Sequence, residues 1–255
     1  MAMQTRIYVI GRVEIETPSG LIGEQRFPGR QGRTLFAYLV CNRLRPVTRE
    51  EIAGVLWPDE VPLAWETALH ALVSKLRNLF KRMEGEAQIA LTSAFGTYTL
   101  RLEGDAWVDR EAAAAAIDEA EALLRRGDAK NAFAHGQIAS IIARQPFLPG
   151  EDGPWFTAER ARLQAILVRA LDCMAEVWMA NDEPKLALAT ARECIELEPF
   201  RETGYQRLMR FEATLGNRAE ALRVYDSCRT LLADELGTDP SDETEALYLQ
   251  LLGSP

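Results

Sequence analysis

The stretch TALHALVSKLRNLFK, residues 67–81, decides how the first part of the chain folds. Apolar residues recur in it at intervals of three and four, which predicts a helix with one buried face. These residues are Leu69, Leu72, Val73, Leu76 and Phe80. Polar residues recur with similar spacing, so they share another side of the same helix. We expect an amphipathic helix from about Leu63 to Met83.

The polar side of this helix is a candidate DNA-binding surface. Its stripe consists of Thr67, His70, Ser74, Arg77 and Lys81, with Lys75 beside it. A helix with such a face fits the major groove of B-DNA, which is ~12 Å wide. Its polar groups can reach base edges, while lysines can hold phosphates. The same pattern is also typical of an ordinary solvated helix face, and the order of the surrounding elements favours DNA.

The residues before this helix predict a small sheet and a first helix. Apolar residues alternate between residues 7 and 15, which predicts strand structure. Residues 17–20 contain Pro and Gly and predict a turn, after which residues 21–27 can return as a second strand. A helical pattern then covers residues 33–41. We therefore expect an antiparallel sheet ahead of the helices.

A second short helix and a terminal hairpin complete this part of the chain. Thr48 and Glu51 have the spacing of a capping box and predict a helix over residues 49–56. Alternating residues on both sides of Gly96 predict a hairpin with the glycine near its tip. A sheet, three helices and a hairpin are the parts of a winged helix-turn-helix. Residues 1–104 are therefore predicted to form an α+β winged-helix domain.

The remaining residues, 105–255, predict an all-α domain made of helical repeats. Ala187 and Cys194 match Ala221 and Cys228 at an offset of 34 residues. A helical period of this length, with small residues at fixed places, is typical of tetratricopeptide repeats. Stacked repeats build a concave surface. An ordinary helical bundle is the alternative.

Charge differs between the two predicted domains. Residues 1–104 hold 13 basic and 11 acidic residues, net +2, whereas residues 105–255 hold 16 basic and 27 acidic residues, net −11. The positive excess lies between Arg26 and Arg82, with 10 basic and 5 acidic residues. Such asymmetry indicates two modules with different partners. We expect DNA to be contacted by the first module only.

Several short motifs in both halves of the chain point to one family. In the first half they are residues 11–15, Gly29-Arg30-Gln31-Gly32-Arg33, Leu56-Trp57-Pro58 and residues 68–77. In the second half they are residues 199–202, 208–209, 216–225 and Glu235-Leu236-Gly237-Thr238-Asp239-Pro240. The first set is similar to an OmpR-type winged helix and the second to a bacterial transcriptional activator domain. Together they resemble the Streptomyces antibiotic regulatory proteins.

The resemblance implies a transcription regulator that activates promoters with repeated double-stranded DNA sites. It implies that Thr67, His70, Ser74, Lys75 and Arg77 meet DNA, and that a dimer or tandem pair binds. Arg30 and Arg33, before the first helix, are further candidates for contacts to the DNA backbone. The tetratricopeptide-like domain is implied to contact RNA polymerase or another protein.

The predicted wing departs from the family pattern. Members usually carry an arginine near the wing glycine, whereas residues 93–97 read Ser-Ala-Phe-Gly-Thr. Members also often have glutamine where His70 stands and histidine where Leu72 stands. We therefore expect a weaker contact from the wing, with lower affinity or a need for oligomers.

Other classes of protein fit the sequence less well. Two histidines and the lack of a nucleophile elbow or HExxH motif argue against an enzyme, and we expect no cofactor and no metal. No apolar run is long enough to span a bilayer, and four cysteines without metal spacing fit a reducing cytoplasm. The alternative function is an adaptor that does not bind DNA, or a module that responds to a small-molecule effector such as a cyclic nucleotide. It would use the helical repeats and the domain junction.

Overall fold

A computed structural model describes residues 5–18, 20–83, 89–102 and 106–253. The chain divides into two compact units. Unit 1 consists of Met1–Ala113 and Ile142–Leu163, and unit 2 consists of Ala114–Ile141 and Gln164–Pro255. The predicted boundary between residues 104 and 105 lies outside the described residues.

Unit 1 begins with a four-stranded sheet. Its strands are β1 (Arg6–Tyr8), β2 (Glu14–Thr17), β3 (Gly20–Ile22) and β7 (Trp107–Val108), in the order β3-β2-β1-β7. The first three pair antiparallel, as the alternating pattern predicts. Strand β3 ends at Ile22, earlier than predicted, and a short 3₁₀ helix follows at Glu24–Arg26. Ser19, in the predicted turn, lies outside the described residues.

The expectation of purely helical structure from residue 105 onward is wrong at Trp107–Val108. This short strand pairs in parallel with β1, with Arg6 opposite Trp107 and Ile7 opposite Val108. The burial of Ile7 and Val108 against the core explains the pairing. A two-residue strand has no periodicity of its own, so sequence could not reveal it.

Three helices and a second sheet follow in unit 1. The helices are α1 (Gly29–Cys41), α2 (Arg49–Leu56) and α3 (Trp65–Lys81), and the strands are β4 (Val47–Thr48), β5 (Ile89–Ala94) and β6 (Thr97–Leu102), in the order β4-β6-β5. The capping box of α2 is confirmed: Glu51 N–H donates to Thr48 Oγ1 at 3.1 Å, and Thr48 N–H donates to the Glu51 carboxylate at 2.8 Å. Helix α1 begins four residues earlier than predicted.

Aromatic side chains fix residues 142–163 in unit 1. Trp155 packs edge-on against Tyr38 of α1, with ring centroids 5.0 Å apart, and against Phe147 at 5.4 Å. Phe147 and Phe156 are buried in the same core as α1 and α3. Residues 144–153, which are not helical, thus lie in unit 1, although the sequence analysis placed them in the helical repeat domain.

Seven helices continue to the end of the described chain. They are α4 (Asp109–Arg125), α5 (Ala129–Ala143), α6 (Pro154–Ala180), α7 (Pro184–Leu197), α8 (Glu202–Thr214), α9 (Arg218–Leu236) and α10 (Asp242–Gly253). The 34-residue repeat is visible in the packing of unit 2. Ala187 and Ala221 are both fully buried, and so are Cys194 and Cys228. Unit 2 is thus a tetratricopeptide-like helical domain.

A buried carboxylate connects β1 to the start of α4 within unit 1. Asp109 is 2% exposed. It accepts hydrogen bonds from the amides of Val9 and Ile10, both at 2.9 Å, and from the Arg110 amide at 2.7 Å. Burial raises the pKa of Asp109 to about 6, although the three amide bonds favour the anion.

This raised pKa makes the stability of unit 1 depend on pH. The folded protein holds the Asp109 proton more tightly than the unfolded chain does, so the free energy of unfolding falls as pH rises from 3.8 to about 6. Urea denaturation at several pH values should show a flatter profile for Asp109→Asn across this window. Identical pH profiles for the two proteins would contradict the assignment.

Candidate nucleic-acid interface

Helix α3 has the two faces that its sequence predicts. Leu69, Leu72, Val73, Leu76 and Phe80 are buried in the core of unit 1. The opposite side is exposed to solvent, and it carries Thr67, His70, Ser74, Lys75 and Lys81. Five of the predicted site residues therefore lie on the outer surface of one helix.

The lysines of the chain divide evenly between this surface and unit 2. The chain has four lysines: Lys75 and Lys81 on α3, and Lys130 and Lys185 on α5 and α7. All four are exposed. The lysine ammonium groups of residues 1–113 are therefore confined to the outer face of α3, where a polyanion can reach them.

Arg77, a sixth predicted site residue on α3, fastens the helix to the β5–β6 hairpin. Its Nε–H donates to the carbonyl of Leu91 at 2.9 Å, and its Nη2 donates to Ser93 Oγ at 3.0 Å. These bonds use two of the five N–H donors of the guanidinium. Arg77 thus holds strand β5 beside the helix, a role that its position on the polar stripe did not reveal.

Arg30 and Arg33 are engaged elsewhere in unit 1. Arg30 Nε donates to the Glu151 carboxylate at 2.6 Å and its Nη2 to the Gly150 carbonyl at 2.8 Å. The guanidinium lines a cavity of about 390 Å³ together with Trp57 and Phe156. Arg33 pairs with Glu24 at 2.6 Å. The guanidinium groups of Arg30 and Arg33, both predicted to contact the DNA backbone, are therefore each paired with a carboxylate.

The tip of the β5–β6 hairpin lies close to the start of α2. Arg49, the first residue of α2, donates its backbone N–H to the Gly96 carbonyl at 3.3 Å. A small groove of about 180 Å³ lies here, lined by Arg49, His70 and residues 93–98. Among the described residues, the buried Nε of Arg49 has no hydrogen-bond partner. The groove thus joins the polar face of α3 to the hairpin tip.

The groove has a positive electrostatic character. Burial raises the pKa of Tyr98, which lines it, and the charges of Arg49 and Arg77 oppose that rise. None of the described lining residues is acidic. Glu66 lies near its edge, with its carboxylate 3.8 Å from Arg49 Nη1. Arg49 therefore supplies a cation beside residues 93–97, the hairpin tip, which contain none.

Sequence reasoning missed Arg49 and Phe95 as residues of this surface. Arg49 is distant in sequence from the hairpin, and its position follows from the pairing of Thr48 with Thr97. Phe95 stands at the hairpin tip and is fully exposed. The dipeptide Phe95-Gly96 was the available signal, because a bulky residue in a two-residue hairpin turn is unusual.

Unit 2 has a separate groove lined by opposite charges. The groove measures about 520 Å³ and lies along α4, α6 and α8. Arg169 Nη2 contacts the carboxylates of Asp118 at 2.7 Å and Glu121 at 2.8 Å. Arg207 contacts Asp172 and Glu176. The guanidinium groups of both arginines are thus paired within the unit.

Three of the four cysteines are buried, and Cys41 is partly buried. Burial raises the pKa of Cys41 and Cys194 to about 12 and that of Cys173 and Cys228 to about 11. All four thiols are free. In the described part of the chain, no group of three or more His, Cys, Asp and Glu residues could hold a metal ion.

Among the helices of the described residues, none is both long enough and apolar enough to cross a bilayer.

Residues 108–252, which include the helical repeat, match the model of a known protein family. The bacterial transcriptional activator domain matches residues 108–252. The chain therefore belongs to the bacterial transcriptional activator domain family, which confirms the resemblance expected for its second half.

Individual relatives are regulatory proteins. Regulatory protein AfsR of Streptomyces coelicolor is 28% identical over 222 residues, which cover 87% of this chain and 22% of AfsR. Transcriptional regulatory protein EmbR of Mycobacterium tuberculosis is 26% identical over 221 residues, which cover 86% of this chain and 57% of EmbR. The chain thus spans less than two thirds of the length of either relative.

A solved structure shares the fold of nearly the whole chain. The structure of Mycobacterium tuberculosis EmbR in complex with a low affinity phosphopeptide superposes with a TM-score of 0.84. The two are 23% identical, and the match covers 98% of this chain and 65% of that one. This similarity supports the fold of both units.

The bonds from Arg77 should determine how firmly the β5–β6 hairpin is held. Arg77→Met keeps an apolar side chain but loses both donors, so we expect faster amide hydrogen exchange in β5 and a loss of about 1 kcal/mol in stability. Arg82→Met, at the exposed end of α3, is the matched control. Equal exchange rates in the two variants would show that Arg77 does not hold the hairpin.

Proposed function

We propose that the chain is a sequence-specific DNA-binding transcription regulator, and an activator. In this proposal unit 1 is an OmpR-type winged helix, with α3 as the recognition helix and β5–β6 as the wing. The observation that carries it is the structure of α3. One face of this helix is buried in the core, and the other presents hydroxyl, imidazole and ammonium groups beside a hairpin that Arg77 holds in place.

The exposed residues of α3 have distinct roles in this proposal. Thr67, His70 and Ser74 carry donors and acceptors that can meet base edges in the major groove. Lys75 and Lys81 are flexible point charges suited to phosphates. Arg77 positions the wing first and contacts DNA only with its remaining donors.

Arg30 and Arg33 contribute less to the proposal than the α3 residues. Each would have to exchange a carboxylate, Glu151 or Glu24, for a phosphate. Such an exchange gains little, because the charge is already neutralised. The proposed interface therefore consists mainly of α3, the hairpin and Arg49.

Unit 2 is proposed to contact a protein, such as RNA polymerase, rather than DNA. Residues 114–141 and 164–255 of this unit hold 12 basic and 21 acidic residues, a net charge of −9, which repels phosphate. A helical repeat offers an extended surface for a protein partner. Two copies of the chain would occupy repeated DNA sites, one at each half-site.

A substitution of Lys75 tests the phosphate contact. Lys75→Ala should weaken binding to all duplex sequences and reduce the slope of log K against log salt by about one unit. The measurement is fluorescence anisotropy with the full chain, at several salt concentrations. The probe is a duplex selected by the wild-type chain from a randomised library.

Lys130→Ala is the matched control, because Lys130 is an exposed lysine on α5. We expect it to leave affinity and salt slope unchanged. If both variants behave alike, α3 is not the site of phosphate contact. If the wild-type chain selects no duplex at all, the proposal fails, and an adaptor that works through the helical repeats becomes the better account.

A further inference from the structure

Phe95 occupies the tip of the β5–β6 hairpin in a backbone conformation that its side chain disfavours. Its φ is +48°, and that of Gly96 is +77°. Two successive positive φ values between the paired residues Ala94 and Thr97 define a type I′ turn. Asparagine or aspartate followed by glycine suits this turn, because these residues tolerate left-handed backbone. A phenylalanine there is strained.

The same side chain gains nothing from packing. Phe95 is 105% exposed, so its ring is fully in water. Exposed apolar residues are common on protein surfaces and by themselves need no explanation. A residue that is both strained and fully exposed contributes nothing to the stability of the folded unit. Strain of this kind is typical of residues that act on a ligand.

The hairpin displays this ring on a fixed support. Arg77 bonds strand β5 to α3, and the Arg49 amide bonds to Gly96, one residue from the ring. The φ of Gly96, +77°, is a left-handed conformation that favours glycine, and an added Cβ would lie 3.3 Å from Arg49 Nη2. The ring therefore projects from the hairpin tip beside the groove that His70 also lines.

The surroundings of the ring identify the chemistry of its partner. The groove is lined by Arg49 and His70 and by no acidic residue among those described. An aromatic ring beside a guanidinium and an imidazole suits a polyanion with an apolar interior. Duplex DNA has both properties, since phosphates lie outside and stacked bases lie inside. Apolar side chains enter such stacks from the minor groove and kink the duplex.

We propose that Phe95 inserts from the minor groove between base pairs of the bound duplex while Arg49 meets a neighbouring phosphate. This inference rests on the proposed DNA-binding function and deepens it. An apolar wedge at the wing replaces the arginine that the sequence lacks there. The affinity of the wing then depends on how easily a base step of the DNA unstacks, and this differs between DNA sequences.

The substitution Phe95→Asn separates stability from binding. Asn-Gly suits the turn, so the Tm should stay equal or rise by about 2–4 °C. Removal of the ring should weaken binding of the selected duplex by roughly tenfold. Leu44→Asn, at a similarly exposed apolar residue of unit 1, is the control and should change neither value. The Tm and the affinity for the duplex are measured on the full-length wild type and on both variants.

A fluorescent base reports the insertion itself. We expect 2-aminopurine, placed at successive positions of the selected duplex, to brighten at one step when the wild-type chain binds. Phe95→Asn should abolish that signal, and Phe95→Leu should retain part of it, since leucine remains an apolar wedge. Equal affinity and equal fluorescence for wild type and Phe95→Asn would overturn the inference.

The variants distinguish a failure of the proposed Phe95 insertion from a failure of the proposed DNA-binding function. If Lys75→Ala weakens binding while Phe95→Asn does not, DNA binding stands and the wedge is wrong. If Phe95→Asn impairs transcription in a reconstituted system without changing DNA affinity, the ring contacts a protein and the wedge is again wrong. If the wild-type chain binds no selected duplex, both proposals fail together.

Discussion

The contact between Arg77 and strand β5 is the constraint on which the proposed interface depends. A recognition helix and a wing can act together only if their relative position is fixed before DNA arrives, because ordering them on binding would cost affinity. Arg77 provides this order through bonds to Leu91 and Ser93. The Arg49 amide bond to Gly96 holds the tip from the other side. The polar face of α3 and the exposed ring of Phe95 are therefore presented together.

Elements set by local patterns could be predicted from the sequence. The capping box of α2 depends on residues within one helical turn, and the two faces of α3 depend on residues a few positions apart. The repeat shared by α7 and α9 depends on one fixed period of 34 residues. The exposure of five candidate residues on α3 follows from the same helical spacing. These features needed no knowledge of distant contacts.

Features set by distant contacts could not be predicted. Arg30 looked available for DNA, yet it pairs with Glu151, 121 residues away in sequence. The pairing of β7 with β1 and the packing of Trp155 on Tyr38 join unit 1 over similar separations. Single-sequence periodicity carries no signal for such contacts. This is why the sequence placed residues 142–163 with the helical repeats, whereas they pack in unit 1.

The distribution of lysines allows a direct test of the central claim that α3 faces DNA. The full chain is acetylated briefly with and without the selected duplex, and the modification of each of its four lysines is measured by mass spectrometry. The account predicts that the duplex protects Lys75 and Lys81 and leaves Lys130 and Lys185 unchanged. Protection of Lys130 or Lys185 with Lys75 and Lys81 still reactive would contradict it.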